Sequence, residues 1–282
     1  MTRRSFINLA TVVLGLLKPG ISLAHKKKKI SIRLLRHATL VIEWDGIKFL
    51  VDPMLSPKDA MDPVKNVSNE VRIPMVDLPI TLSEIDSIIN TADAVMITHT
   101  HRDHWDTVAQ NRIPKNKMLL VQPSDVESIG KQGFENVTPV DASVDFKGLK
   151  ILRTGGQHGT GEIGLRMGKV SGFIVSNGKT KIYVAGDTVW CVEVERAIKE
   201  HRPDVIILNA GEARFSQGDP ITMGVNDIVK VCLTTPKSKI IAVHMDTINH
   251  CLLTRSELKK ALAEKGMSNR LNIPNDGETI EL

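Results

Sequence analysis

Short runs of β-branched and other apolar residues recur along the chain from Ile30 onward, and stretches with helical spacing separate many of them. SIRLLR and TLVIEW read as strands, and Asp45-Gly46 is a hairpin signal leading into IKFLVD. Residues 53–80, rich in proline and polar side chains, predict a long loop over one edge. Thr81-Leu82-Ser83-Glu84 has the capping-box pattern and opens a short helix. ADAVMIT (92–98) and KMLLVQ (117–122) are buried-strand runs, and a helix is expected over 124–131. LKILRT (149–154) is a strand that ends in the glycine-rich GGQHGTGEIG. Residues 168–177 and 179–185 predict paired strands around the turn Asn177-Gly178. Helices over 192–200 and 225–231 alternate with the strands VIILNA (205–210) and KIIAVH (239–244). A helix near 255–265 and a strand near 278–282 close the chain. Strands alternate with helices in both halves, with no linker between them and no repeat, so one α/β domain with mixed sheets covered by helices is expected over 30–282.

Composition changes this picture at one end only. Of 282 residues, 24% are charged and 4% aromatic, which excludes a disordered tail protein, a collagen-like fibre and a polytopic membrane protein. Three cysteines cannot build a disulfide scaffold. The formal charge of +5 suggests nucleic acid or an anionic surface until its location is examined. Seven of the 37 Lys and Arg residues, and no acidic ones, precede Ile30, which leaves 30 basic against 32 acidic residues, or −2, for the body. The segment 1–24 has a twin arginine (Arg3, Arg4), an apolar stretch from Phe6 to Leu17, and small residues at Ser22 and Ala24. This mostly apolar stretch of twelve residues falls short of the roughly 20 that a membrane-spanning helix needs. TRRSFI resembles twin-arginine (Tat) export signals, so residues 1–24 are expected to be an export address. This implies a periplasmic or otherwise exported protein, with the Tat machinery as a transit partner, a basic mature N-terminus over 25–29 and no stable membrane span. No nucleic-acid partner is expected.

Chemistry is concentrated in Thr98-His99-Thr100-His101-Arg102-Asp103-His104-Trp105-Asp106, where a strand ends in four potential metal ligands within six residues. His99 and His101, two apart, can point to one side, and Asp103 and His104 lie at the mouth of the next helix. A cation would let three close imidazoles stay neutral. Further candidates end other strand patterns: His158 in the glycine-rich loop, Asp187 in YVAGDT and His244 in IIAVHMD. Together they form the ordered set HxHxDH, His, Asp, His.

This set resembles the metallo-β-lactamase superfamily of metal-dependent hydrolases over nearly the whole chain from about Ser31 onward. The resemblance implies an αββα sandwich of two mixed β-sheets flanked by helices, with two divalent metal ions at the sheet edges. By position, His99, His101 and His158 would bind one metal, Asp103, His104 and His244 the other, and Asp187 both. His101 stands where oxygen-reducing di-iron relatives have Glu. Asp187 stands where the commonest true β-lactamases have a Cys-containing site, so antibiotic cleavage is not expected. RHATLVIEWDGIKFLVDP, YVAGDT and ITMG look closest to the branch of ascorbate-phosphate lactonases and N-acyl-phosphatidylethanolamine phospholipase D. Asp52 matches a family aspartate and is expected to orient a ligand histidine; its other reading is a strand-end cap. His-rich plus carboxylate ligation suits Zn²⁺, with Mn²⁺ and Fe²⁺ as alternatives.

The implied reaction is attack on a small ester, lactone or phosphodiester by a water that the two cations activate, with Asp187 or Asp103 taking its proton. Rivals are a nuclease of the same superfamily, which the −2 body and few aromatics disfavour, and a non-catalytic metal- or ligand-binding protein. Among the remaining residues, His37 reads as structural or as a minor neighbour of the metal site. His250 reads as a candidate proton donor to the leaving group. Trp105 and Trp190 read equally as pocket walls or core. Residues 209–224 are expected to overhang the opening, with Arg214 facing it or the solvent. Cys191 reads as the thiol nearest the site.

Overall fold

Alternate residues of each central strand enter different cores. In TLVIEW, Leu40, Ile42 and Trp44 belong to one apolar cluster and Val41 to another. In AVMI, Ala94 and Met96 share the first cluster, and Val95 the second with Ile97. Side chains that alternate across a strand produce this division whenever both faces of a sheet are covered. The computed structural model describes residues 30–282; the expected export segment 1–24 and the basic stretch 25–29 lie outside the described residues.

The first half of the chain runs β1 (Ile30–Arg36), β2 (Thr39–Trp44), β3 (Ile47–Val51), α1 (Leu82–Thr91), β4 (Ala94–Ile97), α2 (Thr107–Arg112), β5 (Leu119–Val121), α3 (Val126–Lys131) and β6 (Val137–Pro139). The second runs β7 (Ser143–Phe146), β8 (Leu149–Gly155), α4 (Gly161–Met167), β9 (Ser171–Ser176), β10 (Lys181–Val184), α5 (Val192–His201), β11 (Val205–Asn209), α6 (Val225–Thr234), β12 (Lys239–Val243), α7 (Arg255–Glu264), β13 (Leu271–Asn272) and β14 (Thr279–Glu281). Two seven-stranded sheets result, in the orders β14-β1-β2-β3-β4-β5-β6 and β13-β12-β11-β10-β9-β8-β7. β1 to β3 pair antiparallel and β3 to β6 parallel. β7 to β10 pair antiparallel and β10 to β13 parallel, so both sheets are mixed.

Between the sheets lies the largest core, which includes Ile42, Phe49, Met96, Phe173, Val184 and Ile207. Burying each such side chain fully contributes about 1.5–3 kcal/mol before the entropy of ordering is set against it. Helices cover the outer faces. Ile85, Ile89, Ala109 and Ile129 of the first half pack with Val95 and Leu119. Val194, Ile228 and Leu258 of the second half pack with Tyr183 and Ile206. The architecture is the αββα sandwich expected from the sequence.

Most elements lie where the hydrophobic pattern puts them. The Thr81–Glu84 capping box is formed in both directions, and a second one joins Thr254 to Glu257 at the start of α7. Asp45 and Gly46 both take positive φ, which fits a tight turn between β2 and β3. β6, β7 and β13 go beyond the sequence expectation; they are two to four residues long and not continuously apolar. α4 arises inside the glycine-rich stretch, where propensity disfavours helix, because Ile163 is buried in a small core with Ile73, Ile221 and Ile248. The loop over 53–80 is pinned by Arg36. Its fully buried guanidinium donates to the carbonyls of Met54 (3.0 Å), Ser56 (2.8 Å) and Val76 (2.9 Å). Among the described residues, no helix is long and apolar enough to cross a membrane.

Candidate metal centre

β1, β3 and β4 run in one direction in the first sheet, and β8, β10 and β12 share one direction in the second. Their C-terminal ends therefore line one edge of the sandwich, as ligand sites of open α/β sheets do. His37 follows β1, Asp52 follows β3, and Thr98 to His104 follow β4. His158, Asp187 and His244 follow β8, β10 and β12. The sheets are stitched together at this edge, where the His244 amide donates to the His37 carbonyl (2.9 Å) and Ser171 donates to Thr98 (3.2 Å). Gly186, at φ +70°, turns β10 into Asp187; a Cβ there would lie 2.7 Å from the Ser171 oxygen.

All seven candidate ligands from the sequence come together, together with His37. His99, His101 and His158 offer nitrogens within 4.8 Å of one another, and so do the ligand atoms of His37, Asp103, His104 and His244. A third such group, His99, His104 and Asp187, joins the two. Asp187 reaches His244 and His104 at 3.2 Å each, His158 at 3.5 Å and His99 at 3.9 Å. His37 places Nε2 3.4 Å from Asp103 Oδ2, and its ring lies 3.6 Å from that of His244.

Hydrogen bonds behind the cluster set its tautomers. Asp52 accepts from the Thr98 amide (2.8 Å), the Thr98 hydroxyl (2.7 Å) and His104 Nδ1 (2.9 Å). With its proton directed to Asp52, the Thr98 oxygen accepts from His99 Nδ1 (3.1 Å). His158 Nδ1 donates to the Ile221 carbonyl (2.8 Å), and the Cys251 sulfur lies 3.5 Å from His244 Nδ1. The contacts of His104, His99 and His158 assign the Nδ1 proton and leave an Nε2 lone pair facing the cluster.

Lone pairs gathered this way repel one another unless a cation or proton lies between them. His104 Nε2 and His244 Nε2 are 3.2 Å apart, and His99 Nε2 is 3.0 Å from His101 Nδ1. Burial pushes the His99 imidazole well below its ordinary pKa, and the neighbouring His104 and His101 add to the shift. Burial also takes His158 to about 4. For Asp187 burial acts in the opposite sense, yet His104 and His244 hold its carboxyl well below the usual range. Burial opposes a charge on His104, yet Asp187, Asp52 and Asp103 raise it well above its ordinary pKa, so a cation there would take the place of a proton. Imidazoles around buried carboxylates form a donor set suited to divalent cations, and the cluster can bind metal.

A cavity of about 520 Å³ opens onto this cluster at His101, Asp103 and His158. Val64, Met167 and Phe215 line it with apolar surface and Asp62, Lys65 and Arg102 with charge, and His250 lines it with Nδ1 buried and unpartnered. Burial brings His250 to about 4. Both tryptophans lie away from this cavity. Trp105 is buried in the core under the first sheet, bonded to Gln132 (2.8 Å), and Trp190 packs against the core of the second. Segment 209–224 does reach the opening, but through Phe215; Arg214 pairs with Glu212 instead. Cys251 is the thiol at the site, whereas Cys191 contacts Thr188. Thr98, Ile221 and Cys251 act only through three-dimensional contacts, and no spacing in the sequence marks them.

Comparison with known proteins agrees with this geometry. A family model described as a β-lactamase superfamily domain matches residues 31–244. UPF0173 protein YddR of Bacillus subtilis is 39% identical over 254 residues, covering 89% of this chain and 99% of its own length. The crystal structure of a possible metal-dependent hydrolase from Veillonella parvula superposes with a TM-score of 0.85 at 37% identity, covering 90% of this chain and all of that one. An isothiocyanate hydrolase from Delia radicum gut bacteria superposes at 0.83, also 37% identical, covering 89% and 98%. A UPF0173 metal-dependent hydrolase of Christiangramia forsetii is 27% identical over 86% of this chain. By these matches the chain belongs to the UPF0173 metal-dependent hydrolases of the metallo-β-lactamase superfamily.

Proposed function

We propose that the chain is a dinuclear hydrolase of small, largely apolar molecules. One cation would be held by His99, His101 and His158, the other by Asp103, His104 and His244, with Asp187 shared. The observation that carries this reading is the buried cluster of three overlapping ligand groups, facing a cavity whose lining includes Val64, Met167 and Phe215. When bound, divalent cations supply Lewis-acid charge that brings the pKa of water towards neutrality; Zn²⁺ suits the donor set, with Mn²⁺ or Fe²⁺ as alternatives.

The protein's own residues do the rest. Asp103 Oδ2 and Asp187 are carboxylates beside the reacting centre and can take the proton of the attacking water. His37 supports Asp103 from behind at 3.4 Å. Val64, Met167 and Phe215 hold the apolar part of the substrate, and His250 presents an N–H to the departing group. Esters, lactones and phosphodiesters are the substrate classes that the sequence resemblance suggests. A second reading is favoured by the apolar part of the lining and by the isothiocyanate hydrolase at 37% identity. Water adds to the central carbon of R–N=C=S with one of its protons passing to nitrogen; the second passes to the same nitrogen as the C–N bond breaks, giving an amine R–NH2 and carbonyl sulfide.

A panel of p-nitrophenyl esters, bis-(p-nitrophenyl) phosphate, a lactone, nitrocefin and benzyl isothiocyanate tests the reading on metal-loaded protein. Turnover of at least one substrate other than nitrocefin is expected, with His99→Ala and Asp187→Ala losing both bound metal and activity. A variant that keeps both would overturn the ligand assignment. Residues 1–24 support export by the Tat route. A fusion of residues 1–30 to a folded reporter is expected in the periplasm; retention in the cytoplasm would refute it.

A further inference from the structure

The long loop over 53–80 lines the cavity with Asp62, Pro63, Val64 and Lys65, and the backbone of Val64 is held from the far end of the sequence. The Val64 amide donates to Asn249 Oδ1 (2.9 Å), and Asn249 Nδ2 donates to the carbonyls of Val64 (3.1 Å) and Asn69 (3.1 Å). Asn69 returns the contact, donating from its own Nδ2 to the Asn249 carbonyl (2.9 Å). Asn249 is 2% exposed and Val64 and Asn69 are half-buried, so these bonds are partly shielded from water, and the side-chain amide pairs with the Val64 backbone as a neighbouring strand would. The next residue is His250, which lines the same cavity. Two further contacts seat the loop: Ser216 donates to Asn66 (2.7 Å) and Met75 to Thr247 (2.8 Å). Neither contact fixes Val64 itself.

We infer that Asn249 is a positioning residue that sets the depth of the substrate cavity by latching Val64 over the metal cluster, so that it selects the length of the substrate's apolar group. The inference rests on the hydrolase reading only for where the substrate sits. Without the side-chain amide of Asn249, one amide and two carbonyls lose their partners, and Val64 is released from the residue beside His250. The wall then yields to longer apolar groups, while the ligand histidines and aspartates keep their own contacts.

Calorimetric titration of the metal-loaded full chain with butanoate and octanoate reads the wall without turnover. In Asn249→Ala the ratio of the two Kd values should shift towards octanoate by about tenfold, the range of hydrophobic-pocket discrimination, with metal content unchanged. The ratio of kcat/KM for p-nitrophenyl butanoate and octanoate should shift alike, carried by KM. An unchanged Kd ratio in folded, metal-loaded Asn249→Ala overturns the latch. A shifted Kd ratio in a protein inert to every ester supports the latch and overturns the ester reading alone. Should Asn249→Ala not fold, Asn69→Ala, which removes one bond of the set, must shift the Kd ratio in the same direction; no shift refutes the proposal.

Discussion

Asp52 touches three donors on two residues, and through them it decides which nitrogen is free on two histidines. His104 is fixed directly and His99 through the Thr98 hydroxyl. Its position has a conformational cost: Asp52, His37 and His244 all take positive φ (43°, 59° and 72°), which costs non-glycine residues of order 1–3 kcal/mol each. Buried contacts from both sheets maintain that strain, and it aims the side chains before any ligand arrives. Asp52→Asn keeps the shape but places an amide N–H or a neutral oxygen where the His104 N–H and Thr98 O–H donate. Metal affinity should fall by about 10- to 100-fold, as for other residues behind metal ligands. Competition against a chromogenic chelator measures it, and an unchanged affinity would reduce Asp52 to a turn residue. That Asp52 ends a strand was legible in the sequence. That it governs two histidines was not, because Thr98 carries no signature of a relay.

The strands reach the site by their direction, while the loops close it. Strands of one sense deliver ligands from both sheets, and the oppositely directed β2 and β9 deliver none. A cation held by His99, His101 and His158 would join the ligand segments that follow β4 and β8. Chelation should raise hydrogen exchange in residues 98–104 and 157–160 and leave the β11 and β12 amides protected. The same treatment should lower Tm, since a ligand present at 100 times its Kd contributes about 2.7 kcal/mol to the folded state. Equal exchange with and without chelator would show that the site is held by protein contacts alone. At this scale the sequence was a good guide to buried strands and capped helices, whose periodicity is local. It gave no sign of α4, which depends on burial of Ile163, or of how the 53–80 loop is anchored by Arg36 and Asn249.

At the scale of the whole fold, two sheets of seven strands among the described residues enclose an apolar core and present one edge for chemistry. The last strand, β14, returns across the full length of the chain to pair with β1, Ser31 opposite Glu281. The charge of +5 takes on a different meaning at this scale. The described body from Ile30 onward carries −2, and the basic excess belongs to the N-terminal segment. The sequence by itself determined the fold class, the family resemblance and the ligand types, because strand periodicity and the HxHxDH spacing are written within a few residues of each other. Only the tertiary structure decided that His37 stands beside Asp103, that Trp105 belongs to the core, that Phe215 rather than Arg214 faces the cavity, and that Asn249 holds Val64. Those facts depend on which residues meet across separations of tens to nearly two hundred positions, and such meetings are fixed by sheet order and packing, which no local pattern encodes.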